Sequence, residues 1–297
     1  MKNIIVATDF TEHAKHAVNA AASIAKQTEA KLILLHVINR PLNSGDDSYE
    51  NYHNMPGGRT TVRNIQNKLN EIVNLHNLKN VKTIYELRNN VYNTILDYAD
   101  EYKAELIVMG AYGTTRSAGT FIGSNTSKVM SQAKIPVLIV QEKFSEFNIE
   151  NMVLASEFYG EVYKVFPKMK QIIDLFDTKL HLLKVNTPNR FQRTHDSLKL
   201  MKEFSSRFDL NNYTLNIYND LNIENGIINF TRLIHADLIA ITPDGLWRLV
   251  DIFKKSTTDK LMKISVKAIL SMKTRQPVIT PTEIFYEKGY KHYIEED

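Results

Sequence analysis

Asn3-Ile-Ile-Val-Ala-Thr-Asp-Phe10 returns 148 residues later as Asn151-Met-Val-Leu-Ala-Ser-Glu-Phe158. Each is a short apolar run closed by an acid and a phenylalanine, as expected of a buried strand that ends in a polar turn. The same offset aligns Lys31-Leu-Ile-Leu-Leu-His-Val37 with Lys179-Leu-His-Leu-Leu-Lys-Val185. Further on, Ala104-Glu-Leu-Ile-Val-Met109 matches Ala236-Asp-Leu-Ile-Ala-Ile241 at an offset of 132. That offset also pairs Gly113 with Gly245, Phe121 with Phe253, Ser124 with Ser256 and Thr126 with Thr258. The chain is therefore an internal repeat whose second copy is 16 residues shorter in its middle. Residues 41–60 supply the difference, and their Gly, Pro, Asn, Asp and Ser content reads as a loop. The copies join near residues 142–150.

Within copy one, Asn3–Thr8 and Lys31–Ile38 read as buried strands. Between them Ala14, Val18, Ala21, Ala22 and Ala25 recur at helical spacing, with Thr11 as N-cap and Glu12 in the first turn. Thr61–Leu75 reads as a helix, Val81–Glu86 as a strand and Tyr92–Tyr102 as a helix. Glu105–Met109 follows as a strand, Ser124–Gln132 as a helix and Pro136–Val140 as the last strand. Such alternation demands an α/β fold: a five-stranded parallel sheet with right-handed crossovers and helices on both faces, built twice. The last strand of copy two is expected at Ala268–Met272, with Pro277–Thr280 as the rival placement.

The composition is that of an ordinary globular chain: 297 residues, 43% hydrophobic and 24% charged. The formal charge of +4 is small for this length, and no basic run points to nucleic acid. Cysteine is absent, which excludes disulfides, thiolate metal sites and cysteine nucleophiles. The N-terminal apolar run is too short for a signal-peptide core, and no stretch has the length of a membrane span. A cytoplasmic location is the default expectation.

In an open parallel sheet, ligands bind outside the carboxyl ends of strands where strand order reverses. Asp9 follows the first strand; Gly110-Ala-Tyr-Gly113 follows the fourth; nine residues later Gly123-Ser-Asn-Thr126 opens a helix. Glycines there keep Cβ atoms out of the way of an approaching ligand. A helix N-terminus offers free N–H groups and a positive dipole end to a phosphate, and Ser124 and Thr126 add hydroxyl donors. Taken singly, Gly110 reads equally as a strand-end turn, Ser124 as a plain cap and Asp9 as a cap of the first helix. Neither a P-loop nor a G-x-G-x-x-G fingerprint is present.

Gly110-x2-Gly113-x9-Gly123-Ser124 has the spacing of the nucleotide motif of the universal stress protein family. Val6-Ala-Thr-Asp-Phe10, Leu34-Leu-His-Val37, Glu105-Leu-Ile-Val-Met-Gly110 and Ile135-Pro-Val-Leu-Ile-Val140 also resemble that family. The whole chain resembles its tandem form, with one domain over 1–144, a second over 149–273 and an extension over 274–297. The resemblance implies Rossmann-like (flavodoxin-like) domains paired through their last strands into an intramolecular pseudo-dimer, with a further homodimer left open. It implies binding of ATP or a related adenine nucleotide, with or without Mg2+. Ala7, Asp9 and Val37 would lie near the adenine and ribose; Gly110, Gly113, Gly123, Ser124, Asn125 and Thr126 would wrap the ribose and phosphates. Ala7 stands where some members carry proline.

Copy two departs from the motif: Glu157 replaces Asp9, Thr242 replaces Gly110 and Lys255 replaces Gly123, while Gly245 is kept. It reads as a degenerate half. The expected role is a nucleotide-binding protein of stress response or signalling that acts through conformation and an unidentified protein partner. A slow ATP hydrolase and a ligand-free scaffold are the alternatives, and no catalytic residues are assigned. Arg116 and Tyr112 in the phosphate loop and Trp247 in copy two carry bland surface or packing readings. His13 and His16, three apart near Asp9, read as chance proximity rather than a metal site, and His36 reads as a satisfied strand residue. The aromatic residues of the tail, Phe285, Tyr286, Tyr290 and Tyr293, read as packing or as a partner-docking segment.

Overall fold

The computed structural model describes residues 1–39, 58–113, 122–141, 147–241 and 267–272. Its first half runs β1 (Asn3–Ala7), α1 (Glu12–Thr28), β2 (Lys31–Asn39), α2 (Gly58–Leu75), β3 (Val81–Arg88), α3 (Val91–Glu101), β4 (Leu106–Gly110), α4 (Ser124–Gln132) and β5 (Val137–Val140). The second half runs β6 (Asn151–Ala155), α5 (Val162–Ile173), β7 (Lys179–Asn186), α6 (Thr194–Arg207), β8 (Tyr213–Asn219), α7 (Ile223–Leu233), β9 (Leu238–Ile241) and β10 (Ala268–Ser271).

These strands form one ten-stranded sheet in the order β3-β2-β1-β4-β5-β10-β9-β6-β7-β8. Every pairing is parallel except β5 with β10, which run antiparallel with Val140 opposite Ala268 and Val137 opposite Ser271. The two halves thus join through their last strands, and the order reads as a five-strand pattern followed by its reverse.

Alternation along the strands builds the two cores. Ile4, Val6, Leu32, Leu34, Leu106 and Val108 face one side, where they meet α1, α2, α5 and α6. Ile5, Ile33, Leu35, Ile107 and Met109 face the other, against α3, α4 and α7. Residues of both halves belong to each cluster, so apolar packing is continuous across the β5–β10 seam. Each fully buried Ile, Leu or Val contributes about 1.5–3 kcal/mol, and all of Ile4, Ile5, Val6 and Leu32 to Leu35 are fully buried. Helix α1 packs closely because its inner face is small: Ala14, Ala17, Ala20, Ala21 and Ala25 are all buried.

The repeat extends to the backbone. Phe10 (φ 65°) and Phe158 (φ 60°) are left-handed at the offset of 148. Asn77 (48°) and Asp209 (49°), and Lys103 (49°) and His235 (52°), are left-handed at the offset of 132. The change of offset falls between β2 and α2, as the composition of 41–60 suggests. One boundary differs: Gly58-Arg59-Thr60 already belong to α2 instead of the loop, so the helix begins three residues before Thr61. Gly58 is buried there, a position the Pro-Gly-Gly composition alone does not reveal. Strand β10 lies at Ala268–Ser271, in keeping with the ungapped alignment. The rival placement at 277–280, the tail aromatics and most of the 41–60 loop lie outside the described residues. Among the described residues, no helix is long and apolar enough to cross a membrane.

A switch-point site at the carboxyl ends of β1 and β4

Strand β2 lies on one side of β1 and β4 on the other, so strand order reverses between β1 and β4. The turn leaving β1 is tightly bonded. Thr8 N donates to Leu35 O (2.9 Å), and Phe10 N donates to Thr8 Oγ1 (3.1 Å). Asp9 Oδ1 accepts from Thr11 N (3.1 Å) and from Thr11 Oγ1 (2.6 Å). Thr11 in turn caps α1, its Oγ1 accepting from Ala14 N at 3.3 Å. Thr11 is thus the cap and Asp9 its brace, which holds the Asp9 carboxylate at the mouth of the switch point.

Gly113 meets Asp9 there. A Cβ on Gly113 would lie 2.7 Å from Asp9 Oδ2, so the bare glycine lets the carboxylate rest against the loop where a side chain would push it aside. Gly123 approaches from α4: its N–H donates to Ala111 O at 2.7 Å, and it sits at the N-cap with no side-chain cap bond. Ser124 is exposed and Asn125 partly exposed at the start of α4. Ala7, Val37 and Tyr112 are partly buried and pack against the same core cluster. The structure therefore gathers Ala7, Asp9, Val37, Gly113, Gly123, Ser124 and Asn125 around one end of the sheet.

Gly110 and Thr126 also have structural partners of their own. Gly110 is the last residue of β4, and a Cβ there would lie 2.7 Å from both His13 C and His13 O and 2.9 Å from Ala14 N. Its bareness admits helix α1. Thr126 is buried, and its hydroxyl donates to Gly110 O at 3.0 Å. Its hydroxyl thereby ties α4 to β4.

Other side chains complete the neighbourhood. His13 Nδ1 donates to Gln141 O (3.1 Å), and the His13 ring packs edgewise on Tyr112 at 4.9 Å. His36 Nδ1 donates to Thr8 O (2.8 Å) while its ring lies 4.5 Å from Phe10. No single sequence signal marks His13, because its partner Gln141 stands at the far end of the first half. Arg116 lies outside the described residues, as do Thr242, Gly245, Trp247 and Lys255 of copy two. Among the described residues, no group of three or more His, Asp or Glu could hold a metal ion.

Burial lowers the pKa of His36 below 6.5, although its bond to Thr8 O and the Asp9 charge oppose the shift. His76 and His181 are also lowered by burial. With the folded pKa depressed, the unfolded chain binds more protons as pH falls below 6.5, so stability is full above that value and drops on acidification. Thermal melts between about pH 5 and 8 should show this fall, and His36→Gln should flatten it in part. A wild-type melting temperature that rises on acidification across that range would contradict the sign.

In the second half the corresponding turn is built with different charges. Phe158 N donates to Ser156 Oγ (3.1 Å), matching the Thr8–Phe10 bond. Where Asp9 braces Thr11, however, Glu157 forms an ion pair with Lys184, the residue aligned with His36. The Lys184 side chain is 3% exposed and that of Glu157 18%.

Comparison with known proteins follows the same lines. The model of the universal stress protein family matches residues 1–141. A universal stress protein of Methanocaldococcus jannaschii is 26% identical over 157 residues, covering 48% of this chain and 97% of the relative. One from Synechocystis is 30% identical over 139 residues, covering 47% of this chain and 85% of the relative. The crystal structure of a universal stress protein from Archaeoglobus fulgidus shares the fold, with a TM-score of 0.67 over 92% of this chain and 96% of that one, at 16% identity. With its repeat, its doubled parallel sheet and these matches, the chain belongs to the universal stress protein family.

Proposed function

We propose that the first half binds an adenine nucleotide, ATP above all, and that the protein works in the cytoplasm as a nucleotide-responsive stress or signalling protein. One observation carries the reading: Asp9, the bare backbone of Gly113 and the start of α4 converge where strand order reverses. Asp9 and the edges of Ala7 and Val37 suit a ribose and adenine. The first-turn amides of α4 with Ser124 and Asn125 suit phosphates, whose charge complements the helix dipole. Gly110 and Thr126 brace this loop from behind. Any Mg2+ would enter on the nucleotide's phosphates. Nucleotide binding would act by favouring one conformation and so one partner-binding state.

Gly123 gives the cleanest test. A Cβ on Gly123 meets Ala111 O at 3.5 Å and Gly113 N at 3.6 Å, ordinary contacts that the protein accommodates. Gly123→Ala should fold with a melting temperature near wild type. Gly123→Val should lower ATP affinity at least about tenfold, since one lost charged hydrogen bond is worth ~1.5–3 kcal/mol. Isothermal titration of the full chain reads both. Asp9→Ala is less clean, because Asp9 also braces Thr11. Wild-type ATP affinity in Gly123→Val, or no ATP binding by wild type at millimolar levels, would sink the reading.

A further inference from the structure

We propose that the second half carries a binding site of its own, for an aromatic organic anion, in the cavity between the start of α5 and the outer face of α6. The cavity measures about 1260 Å³, ample beside the ~300–1,000 Å³ of typical small-molecule sites. Its lining separates into a neutral floor, an aromatic wall and a cationic rim.

The floor is the Glu157–Lys184 pair, in which each charge is already matched. The wall is Tyr163, backed by buried rings: Phe158 and Phe204 are fully buried and 5.3 Å apart, Phe204 lies 5.4 Å from Tyr163, and Phe208 5.8 Å from Tyr163. Phe158 has its counterpart in Phe10, but the cluster of Tyr163, Phe204 and Phe208 belongs to the second half alone. The residues aligned with Tyr163, Phe204 and Phe208 are Lys15, Ile72 and His76. At the rim, Arg190, Lys199, Lys202 and Arg207 outnumber Glu203. The Arg207 guanidinium stands 5.3 Å from the centre of the Tyr163 ring, a cation over the aromatic wall.

The mouth is pre-formed. Phe191 is 72% exposed, on a connection fixed by the Thr187–Arg190 bridge. Asn186 Nδ2 donates to Gln192 O (3.2 Å), and Ser197 Oγ donates to Gln192 Oε1 (3.2 Å). A phenylalanine in water on a bonded turn is an apolar surface whose backbone is already ordered, so a ring that stacks on it buries apolar area with less ordering left to do. Rings for stacking and cations at the edge together define the ligand: a planar aromatic group bearing a carboxylate, sulfonate or phosphate. The site differs from the nucleotide site of the first half, where the acid is turned to Thr11 instead of being matched by a lysine.

The test uses 8-anilinonaphthalene-1-sulfonate as an aromatic anion, titrated into the full chain by fluorescence, with Phe191→Ala and Lys202→Glu beside wild type. Phe191 and Lys202 are both exposed, so neither change should disturb folding. Each variant should weaken binding at least about fivefold, the scale of one ring or cation contact. The Gly123→Val change, at the far site of the first half, should leave the titration unaltered. Aryl phosphates and aryl carboxylates should displace the probe, and neutral aryl alcohols should not. Unchanged binding in both variants, loss of binding in Gly123→Val, or equal displacement by the neutral compounds would overturn the proposal.

Discussion

Gly110→Ala is expected to destabilise the protein by about 2–3 kcal/mol, the larger part of which no relaxation of side chains can relieve. The added Cβ would stand 2.7 Å from His13 C and O and 2.9 Å from Ala14 N, all backbone atoms of the first turn of α1. Overpacking against a flexible side chain is resolved by a rotamer change; overpacking against a helix backbone requires the helix to move. Alanine reduces the entropy of the unfolded chain and returns only ~0.4–1 kcal/mol. Gly110 φ is not positive, so the penalty is contact and not backbone strain. Urea unfolding of Gly110→Ala beside Gly123→Ala separates the two glycines of one motif: the first should lose stability and the second should not. If α1 must shift outward, Thr11 and Asp9 shift with it, so Gly110→Ala should also weaken nucleotide binding, through position and not through blocked access. Equal stability of the two variants would show that the motif's glycines serve one purpose after all.

That division of labour is what the sequence does not display. The offsets of 148 and 132 reveal a doubled α/β fold because buried parallel strands must be apolar and evenly spaced, and because a repeat aligns them without gaps. The switch-point rule then brings Asp9 beside Gly113 from opposite ends of the first half, and Gly113 indeed meets Asp9. Spacing cannot tell a glycine that admits a helix from one that admits a ligand, since that depends on which backbone crosses it. Nor does it show that Thr126 turns its hydroxyl to Gly110 O, because a helix of nine residues presents its third position inward only once docked. The left-handed Phe10 is equally silent: phenylalanine rarely adopts that conformation, and here the Thr8 hydroxyl and packing on His36 hold it. By contrast, the Glu157–Lys184 contact could have been read. The register Ala155 opposite Leu183 places Lys184 one residue past, and Glu157 two residues past, a paired position on neighbouring strands. It becomes visible once the columns Asp9/Glu157 and His36/Lys184 are read jointly instead of singly.

Lys184→Ala should be the more damaging change in the second half, costing about 3 kcal/mol. The Lys184 side chain is 3% exposed and that of Glu157 18%, so removing the lysine leaves a largely buried acid without its counter-charge. Exposed pairs behave differently: Lys15 with Glu12, both more than half exposed, should contribute under ~1 kcal/mol. The double variant Lys184→Ala with Glu157→Ala should recover much of the loss, since a buried pair is held mainly by the penalty of breaking it one side at a time. A double-mutant cycle by urea unfolding measures the coupling, and independent sites would show none. The outcome bears on how the two halves came to differ. If coupling is strong, Glu157 could not change alone to an aspartate that braces the next turn as Asp9 does, because Lys184 would lose its counter-charge. Glu157 and Lys184 would then be locked together, and the second half held away from the first half's arrangement by its own stability. Additive losses would remove that lock and leave the acid free to serve a ligand.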